Sequence, residues 1–294
     1  MIFKGSIPAV ITPFEKNFQI DFDCLGNHID FLIAEGSHGL VSCGTTGESP
    51  TLDHDEHKKV TEFIIKRANS RVPVMAGCGS NSTKESIELV EHAKKVGANA
   101  SLLVSPYYNK PTQEGLYKHF EKIAECSNNL PIYLYNIPGR SVVEINSNTI
   151  KRLSRINNIV GVKDATGDLN TPLEVYEQCG KNFFQLSGED STFLSFLISG
   201  GIGCISVTAN VIPRICSNIF KFWQNRNIDE AMNLNHMIFP LNKVLFIETS
   251  PSPVKYALSK LKRCRNIMRL PMVSVSKETA KKIEKVLEEL KLCK

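Results

Sequence analysis

Residues 159–165 read IVGVKDA, a run of apolar, β-branched chain with no polar alternation that ends on a lysine and an aspartate. Unbroken apolar runs of this length describe a strand covered on both faces, as in a parallel sheet. Seven more of the kind occur. Upstream lie SIPAVIT (6–12), GLVSCG (39–44), VPVMAG (72–77), ASLLVSP (100–106) and PIYLYN (131–136). Downstream lie FFQLSG (183–188) and GIGCISVT (201–208). Their starts are spaced roughly 20–35 residues apart, the length of a βα unit. Eight such units predict a (β/α)8 barrel, an α/β fold that takes ~250 residues. An open doubly wound sheet fits the same pattern.

The segments between the runs carry helix signals. Asp53 with Glu56, and Ser82 with Glu85, are spaced as capping boxes. Thr112 precedes an apolar face of Leu116, Phe120, Ile123 and Ala124, at i, i+4, i+7 and i+8. Thr171 followed by Pro172 reads as a cap with proline at the first helical position. Beyond about residue 213 the pattern is helical, over 214–224, 228–247, 252–261 and the amphipathic SKETAKKIEKVLEELK (276–291). The expected organisation is a barrel domain over 1–224 and a C-terminal helical domain over 225–294.

Composition narrows the function classes. The chain has 294 residues, 42% hydrophobic and 22% charged, enough to fill a large core. A net charge of +5 from 35 basic and 30 acidic residues is a mild excess. The densest basic stretch, 260–269, is short and lacks interleaved aromatics, so it reads as a solvated face and not as a nucleic-acid surface. No apolar run approaches the ~20 residues of a membrane span. Nine cysteines with no CxxC spacing fit a reducing compartment, and a cytoplasmic protein is expected. HDEH (54–57) spaces its histidines at i, i+3, unlike the HExxH zinc pattern, so no metal is expected. The glycines of SGGIG (199–203) precede the last strand and read as a turn, away from the end where such barrels do their chemistry.

That end is where strands finish, and the polar residues that need explaining gather there. Thr45, Thr46 and Glu48 follow the second run, and Tyr107, Tyr108 and Asn109 the fourth. Tyr135 and Asn136 close the fifth, with Arg140 just beyond; Gly188 and Glu189 follow the seventh. Lys163 ends the sixth. A lysine is almost never buried unless paired. Either the strand stops one residue earlier and the amine is solvated, or the barrel mouth desolvates it. In the second case it acts as a nucleophile that forms a Schiff base with a carbonyl. Such a lysine needs a proton shuttle, for which Tyr135 is the candidate; Thr45 and Tyr108 extend a hydroxyl chain. Each residue also has an ordinary structural reading: an aromatic packed at a strand end, a helix-entry cap, a surface arginine.

Six segments occur together and in order: GTTGES (44–49), SPYYNKPTQEGLYKHF (105–120), LYNIPGR (134–140), GVKDATG (161–167), LSGED (186–190) and ISVTAN (205–210). Through them the chain resembles the dihydrodipicolinate synthase family from end to end. The resemblance implies condensation of pyruvate with L-aspartate 4-semialdehyde, at the entry to diaminopimelate and lysine biosynthesis, with no cofactor. Lys163 matches the Schiff-base lysine and Tyr135 the proton donor and acceptor. Thr45 and Tyr108 complete the relay, Tyr108 reaching into a neighbouring subunit. Thr46 and the backbone at Ile205 hold the pyruvate carboxylate, Gly188 is a further substrate-binding position, and Arg140 binds the semialdehyde carboxylate. A homotetramer, a dimer of tight dimers, is implied. So is feedback by L-lysine through Ser49, Pro50, His54, His57, Asn81, Glu85 and Tyr107, with Pro50 standing where a smaller residue is usual. Asp164 and Glu189 depart mildly from the family's Glu and Asp.

Two rival functions share parts of this pattern. An N-acetylneuraminate lyase or keto-deoxy sugar-acid aldolase has the lysine and tyrosine, but not, as a rule, the 105–120 segment or the arginine. A non-catalytic ligand-sensing barrel is expected to have lost Lys163 or Tyr135.

Overall fold

A computed structural model describes residues 2–127 and 129–293. In chain order the elements are β1 (Gly5–Pro8), α1 (Phe22–Ala34), β2 (Leu40–Ser42), α2 (His54–Ala68), β3 (Val74–Gly77), α3 (Thr83–Lys95), β4 (Ala100–Val104) and α4 (Gln113–Cys126). They continue as β5 (Ile132–Asn136), α5 (Pro138–Ser141), α6 (Ser147–Leu153), β6 (Ile159–Asp164), α7 (Thr171–Cys179), β7 (Phe184–Ser187), α8 (Phe193–Ile198) and β8 (Gly203–Ser206). Four helices complete the chain: α9 (Pro213–Gln224), α10 (Ile228–Val244), α11 (Ser252–Lys260) and α12 (Lys277–Glu289). All eight expected strands form. Their order is β1-β8-β7-β6-β5-β4-β3-β2, and a parallel bridge, Ala9↔Val41, links the two ends of that order. The fold is a (β/α)8 barrel, and the open sheet is excluded.

By packing, the chain divides into two units, Met1–Lys4 with Pro73–Ile205, and Gly5–Val72 with Ser206–Lys294. In the first, β3 to β8 pair in sequence as parallel neighbours. Their apolar side chains are buried without alternation, as the sequence pattern required; Ile132, Leu134, Val162 and Leu186 are all but inaccessible. Gly161 allows β5 and β7 to close on β6. A Cβ there would stand 2.3 Å from the Phe184 carbonyl oxygen and 2.8 Å from the Tyr133 ring.

In the second unit α2 begins as its sequence predicts. The Asp53 carboxylate accepts the Glu56 N–H at 2.8 Å, and the Glu56 carboxylate accepts the Asp53 N–H at 3.1 Å. Helix α12 is capped by Ser276, whose hydroxyl accepts from the Thr279 N–H at 3.2 Å. It buries Ile283 and Leu287, one turn apart, and leaves its charges outside. Each such side chain contributes about 1.5–3 kcal/mol.

Two helix starts differ from expectation. Ser82 caps α3 through the Glu85 N–H at 3.4 Å, but the Glu85 carboxylate accepts from the Ser80 hydroxyl, so the reciprocal half of the box is missing. At α7 the N-cap is Asn170, without a side-chain capping bond; Thr171 is already helical and Pro172 follows it. Proline fits there because the first turn's N–H groups have no helical acceptors. Helix α10 ends at Val244, three residues before the expected 247.

Candidate active site

The first unit supplies the reactive pair. Parallel pairing sets Tyr135 opposite Lys163 and Asn136 opposite Asp164 across β5 and β6. Strand β6 runs through Lys163 and ends at Asp164, so the reading that it stops short with a solvated amine is wrong. Lys163 is 7% exposed and Tyr135 is 6% exposed. The lysine Nζ lies 3.9 Å from the centroid of the Tyr135 ring. No carboxylate pairs with this ammonium among the described residues, which is rare for a buried lysine. The ring face is its electrostatic partner.

Gly188, just past β7, makes room for the lysine stem. A Cβ at 188 would stand 2.8 Å from Lys163 Cε and 2.7 Å from Ala165 Cβ. The Gly188 N–H donates to the Asp164 carbonyl at 2.6 Å, which fixes that close approach.

Asp164 follows Lys163 and so points to the other face of the strand. Burial pushes its carboxyl up to about 6, against the N–H of Thr166, which donates to Oδ1 at 2.9 Å; the Glu144 charge pushes the same way as burial. Asn136 braces the loop beyond β5. Its amide donates to the Ile145 carbonyl at 3.2 Å and accepts the Ile145 N–H at 2.9 Å. The Ser141 hydroxyl donates to Ile137 O and Val143 O, both at 2.9 Å, and accepts from Ser105 at 3.1 Å. Between these anchors α5 presents Arg140 on the exposed side. Ile205 lies in β8 with its side chain buried.

Tyr108 sits on the loop after β4 with a left-handed backbone, φ 72°, and is 90% exposed. It makes no hydrogen bond among the described residues. The loop is tethered where the Asn109 amide donates to Asn81 O at 2.9 Å. Asn81, Glu85 and Tyr107 all belong to this unit, with Glu85 held by Ser80.

In the second unit Thr45 and Thr46 occupy a single 3-10 turn directly after β2, Thr45 half-buried and Thr46 buried. A further 3-10 turn holds Ser49 and Pro50, and α2 carries His54 and His57 in its first turn. Glu48, between the two turns, is buried and forms an ion pair with Lys255 of α11 at 2.6 Å. Lys255 has no sign in the sequence, where it is one residue of an ordinary helix. Among the described residues no group of three or more His, Cys, Asp or Glu side chains could hold a metal.

Comparison with known proteins shows which family the chain is similar to. The model of the dihydrodipicolinate synthetase family matches residues 2–290. The 4-hydroxy-tetrahydrodipicolinate synthase of Chelativorans sp. (strain BNC1) is 52% identical over 288 residues, 98% of each chain. The dihydrodipicolinate synthase structure from Aquifex aeolicus superposes with a TM-score of 0.96 at 44% identity, covering 99% of both chains. That of the chloride-inhibited Acinetobacter baumannii enzyme complexed with pyruvate gives 0.96 at 40% identity, over 99% of this chain and 100% of the other.

Proposed function

Because this chain belongs to the dihydrodipicolinate synthetase family, we propose that it condenses pyruvate with L-aspartate 4-semialdehyde through a Schiff base on Lys163. The activity is that of its relatives, a lyase reaction of lysine and diaminopimelate biosynthesis. The observation that carries the site assignment is the buried, carboxylate-free lysine held against Tyr135.

The amine in its unprotonated form attacks the keto carbon of pyruvate, and loss of water from the carbinolamine gives the imine. The protonated imine draws electrons from the neighbouring methyl, which loses a proton to give an enamine; no other electron sink is needed. The enamine carbon attacks the aldehyde of the semialdehyde. The substrate's own amine then displaces Lys163 by transimination, releasing the cyclic product. Tyr135, whose ring lies against the amine, is the proton donor and acceptor. Thr45 and Tyr108 extend the relay, with Tyr108 supplied to a neighbouring subunit's site; its exposed ring supports that reading. Thr46 and the Ile205 backbone serve the pyruvate carboxylate, Gly188 lines the substrate site, and Arg140 serves the carboxylate of the semialdehyde, as a guanidinium fork suits.

The assembly we propose is a homotetramer in the cytoplasm, with L-lysine as feedback inhibitor through Ser49, Pro50, His54, His57, Asn81, Glu85 and Tyr107. Among the described residues no helix is long and apolar enough to cross a membrane. The division into a barrel domain, 1–224, and a helical domain, 225–294, is supported by the three helices α10, α11 and α12, with no strand among the described residues after 224.

The test is a coupled assay of pyruvate plus semialdehyde with an NADPH-dependent reductase, beside pyruvate with N-acetylmannosamine. Borohydride trapping should add a pyruvate-derived mass to Lys163 and to nothing in Lys163→Ala. Turnover of the sugar alone would move the chain to the sialic-acid branch. Initial rates unchanged by L-lysine would reject the feedback site, and sedimentation reads the assembly.

A further inference from the structure

Glu48 closes the turn that carries Thr45 and Thr46, yet no step above uses it. Its backbone is left-handed, φ 55°, and its side chain is directed into the protein, 2% exposed. There Oε1 accepts from Lys255 Nζ at 2.6 Å, and Oε2 accepts the backbone N–H of Arg269 at 3.2 Å. Lys255 is inaccessible as well. It donates to the Thr12 carbonyl at 2.9 Å, and its Nζ lies 4.3 Å from the centroid of the Phe14 ring. Thr12 returns to the same turn, its hydroxyl donating to the Gly47 carbonyl at 2.7 Å. Gly47 has no room for a side chain, since a Cβ there would stand 3.0 Å from the Val10 carbonyl oxygen. All of these residues belong to one unit.

Moving two charges out of water is costly, and apolar residues of the same volume hold a core as well or better. What a buried, hydrogen-bonded pair supplies that an apolar contact does not is one fixed arrangement. Here the thing fixed is a strained turn. A leucine at 48 would fill space but would give Lys255 and the Arg269 N–H nothing to hold, and the turn could settle elsewhere. Displacements of about 1 Å at such a site cost on the order of 10²-fold in rate.

We propose that Glu48 and Lys255 are positioning residues for the pyruvate half of the reaction, their ion pair holding Thr45 and Thr46 in register for substrate. The inference rests on the roles given to those threonines above. It concerns binding geometry, so it separates from stability in the following experiment.

Full-length Glu48→Gln, Lys255→Met, the double variant and Thr12→Val are compared with the native chain by melting temperature and by steady-state kinetics on each substrate. The single charge variants orphan a buried partner and melt lower. The double variant removes both charges and recovers most of that loss. Its KM for pyruvate nevertheless stays raised by at least about tenfold, while that for the semialdehyde moves by less than about twofold. Thr12→Val keeps the ion pair and the side-chain shape, freeing only the Gly47 carbonyl, and shifts the pyruvate KM less but in the same direction. Native kinetics in both the double variant and Thr12→Val would make the pair a stability device only and overturn the proposal. If the charge variants do not fold, native kinetics in Thr12→Val alone overturn it. Should the native chain itself fail to condense pyruvate with the semialdehyde, the functional reading has failed instead, and the first assay shows that before any variant is compared.

Discussion

Tyr135 and Lys163 are register partners on neighbouring parallel strands, and the amine meets the face of the phenol ring, 3.9 Å from its centroid. Register therefore fixes both the distance and the approach, because both side chains leave the same face of the sheet at the same level. Tyr135→Phe keeps that ring and removes only the hydroxyl. It should fold normally and lower kcat by about 10²–10⁴-fold, the usual worth of a positioned proton donor. Trapping of the pyruvate imine with borohydride should be slowed but not abolished. A kcat within a few-fold of native would remove Tyr135 from proton transfer.

Arg140 stands on α5, in a segment braced by Asn136, Ser141 and Ser105. Arg140→Ala should raise the KM for the semialdehyde by roughly 10–150-fold, the equivalent of about 1.5–3 kcal/mol for a charged hydrogen bond. Imine formation with pyruvate should be unchanged. An equal loss for both substrates would mean that the arginine acts elsewhere.

Asp164 gives stability an unusual pH dependence. Its buried carboxyl titrates at about 6 in the folded chain, above its ordinary 3.8, so the folded state holds the proton more tightly. The associated stability is complete below about 4 and is lost as pH rises through about 6. Asp164→Asn, which keeps an acceptor for Thr166, should gain stability over the native chain across that window. The gain is on the order of 2–3 kcal/mol at neutral pH. Parallel thermal melts at several pH values check it, and two curves with a constant offset would contradict it.

His28 works in the opposite sense. Its Nε2 lies 3.0 Å from Asn210 Oδ1, and the Asn210 amide nitrogen donates to Ala9 O and Val207 O, so the imidazole carries its proton on Nε2. Burial, and to a lesser degree the Arg263 charge, pulls its pKa down to about 4 from 6.5, against the Asn210 bond. Stability from this group is present above about 6.5 and lost as pH falls through about 4. His28→Gln, which can still donate to Asn210, should flatten that acid limb by up to about 3 kcal/mol. His119, pulled down to about 4 by burial, leaves part of the limb in place. Chemical denaturation between about pH 4 and 7 reads the difference.

What the sequence made legible is local. Eight unbroken apolar runs announce eight covered strands, and a lysine closing one of them announces a site. The Asp53–Glu56 box works because both partners lie within one turn. Where the outcome depended on a third residue, the reading failed. Glu85 is drawn off by Ser80, and Thr171 is displaced from the cap by Asn170. The Glu48–Lys255 pair spans 207 positions. Nothing periodic links two residues that meet only because separate elements fold against each other, and Lys255 on a short helix looks like any solvated lysine. Tyr108 is a further case: the motif gives it a relay role, and the folded chain leaves its ring 90% exposed.

Gly188 carries no reactive group, yet its missing side chain leaves room for the Lys163 stem: a Cβ there would stand 2.8 Å from Lys163 Cε. A methyl group added at 188 is therefore expected to displace the lysine and slow imine formation, with every reactive atom still present. A descendant of this barrel that had abandoned catalysis could retain both lysine and tyrosine and pass any inventory of functional groups. Its retirement would be written at position 188, and a Gly188→Ala chain that still traps pyruvate on Lys163 would show that the record cannot be read there.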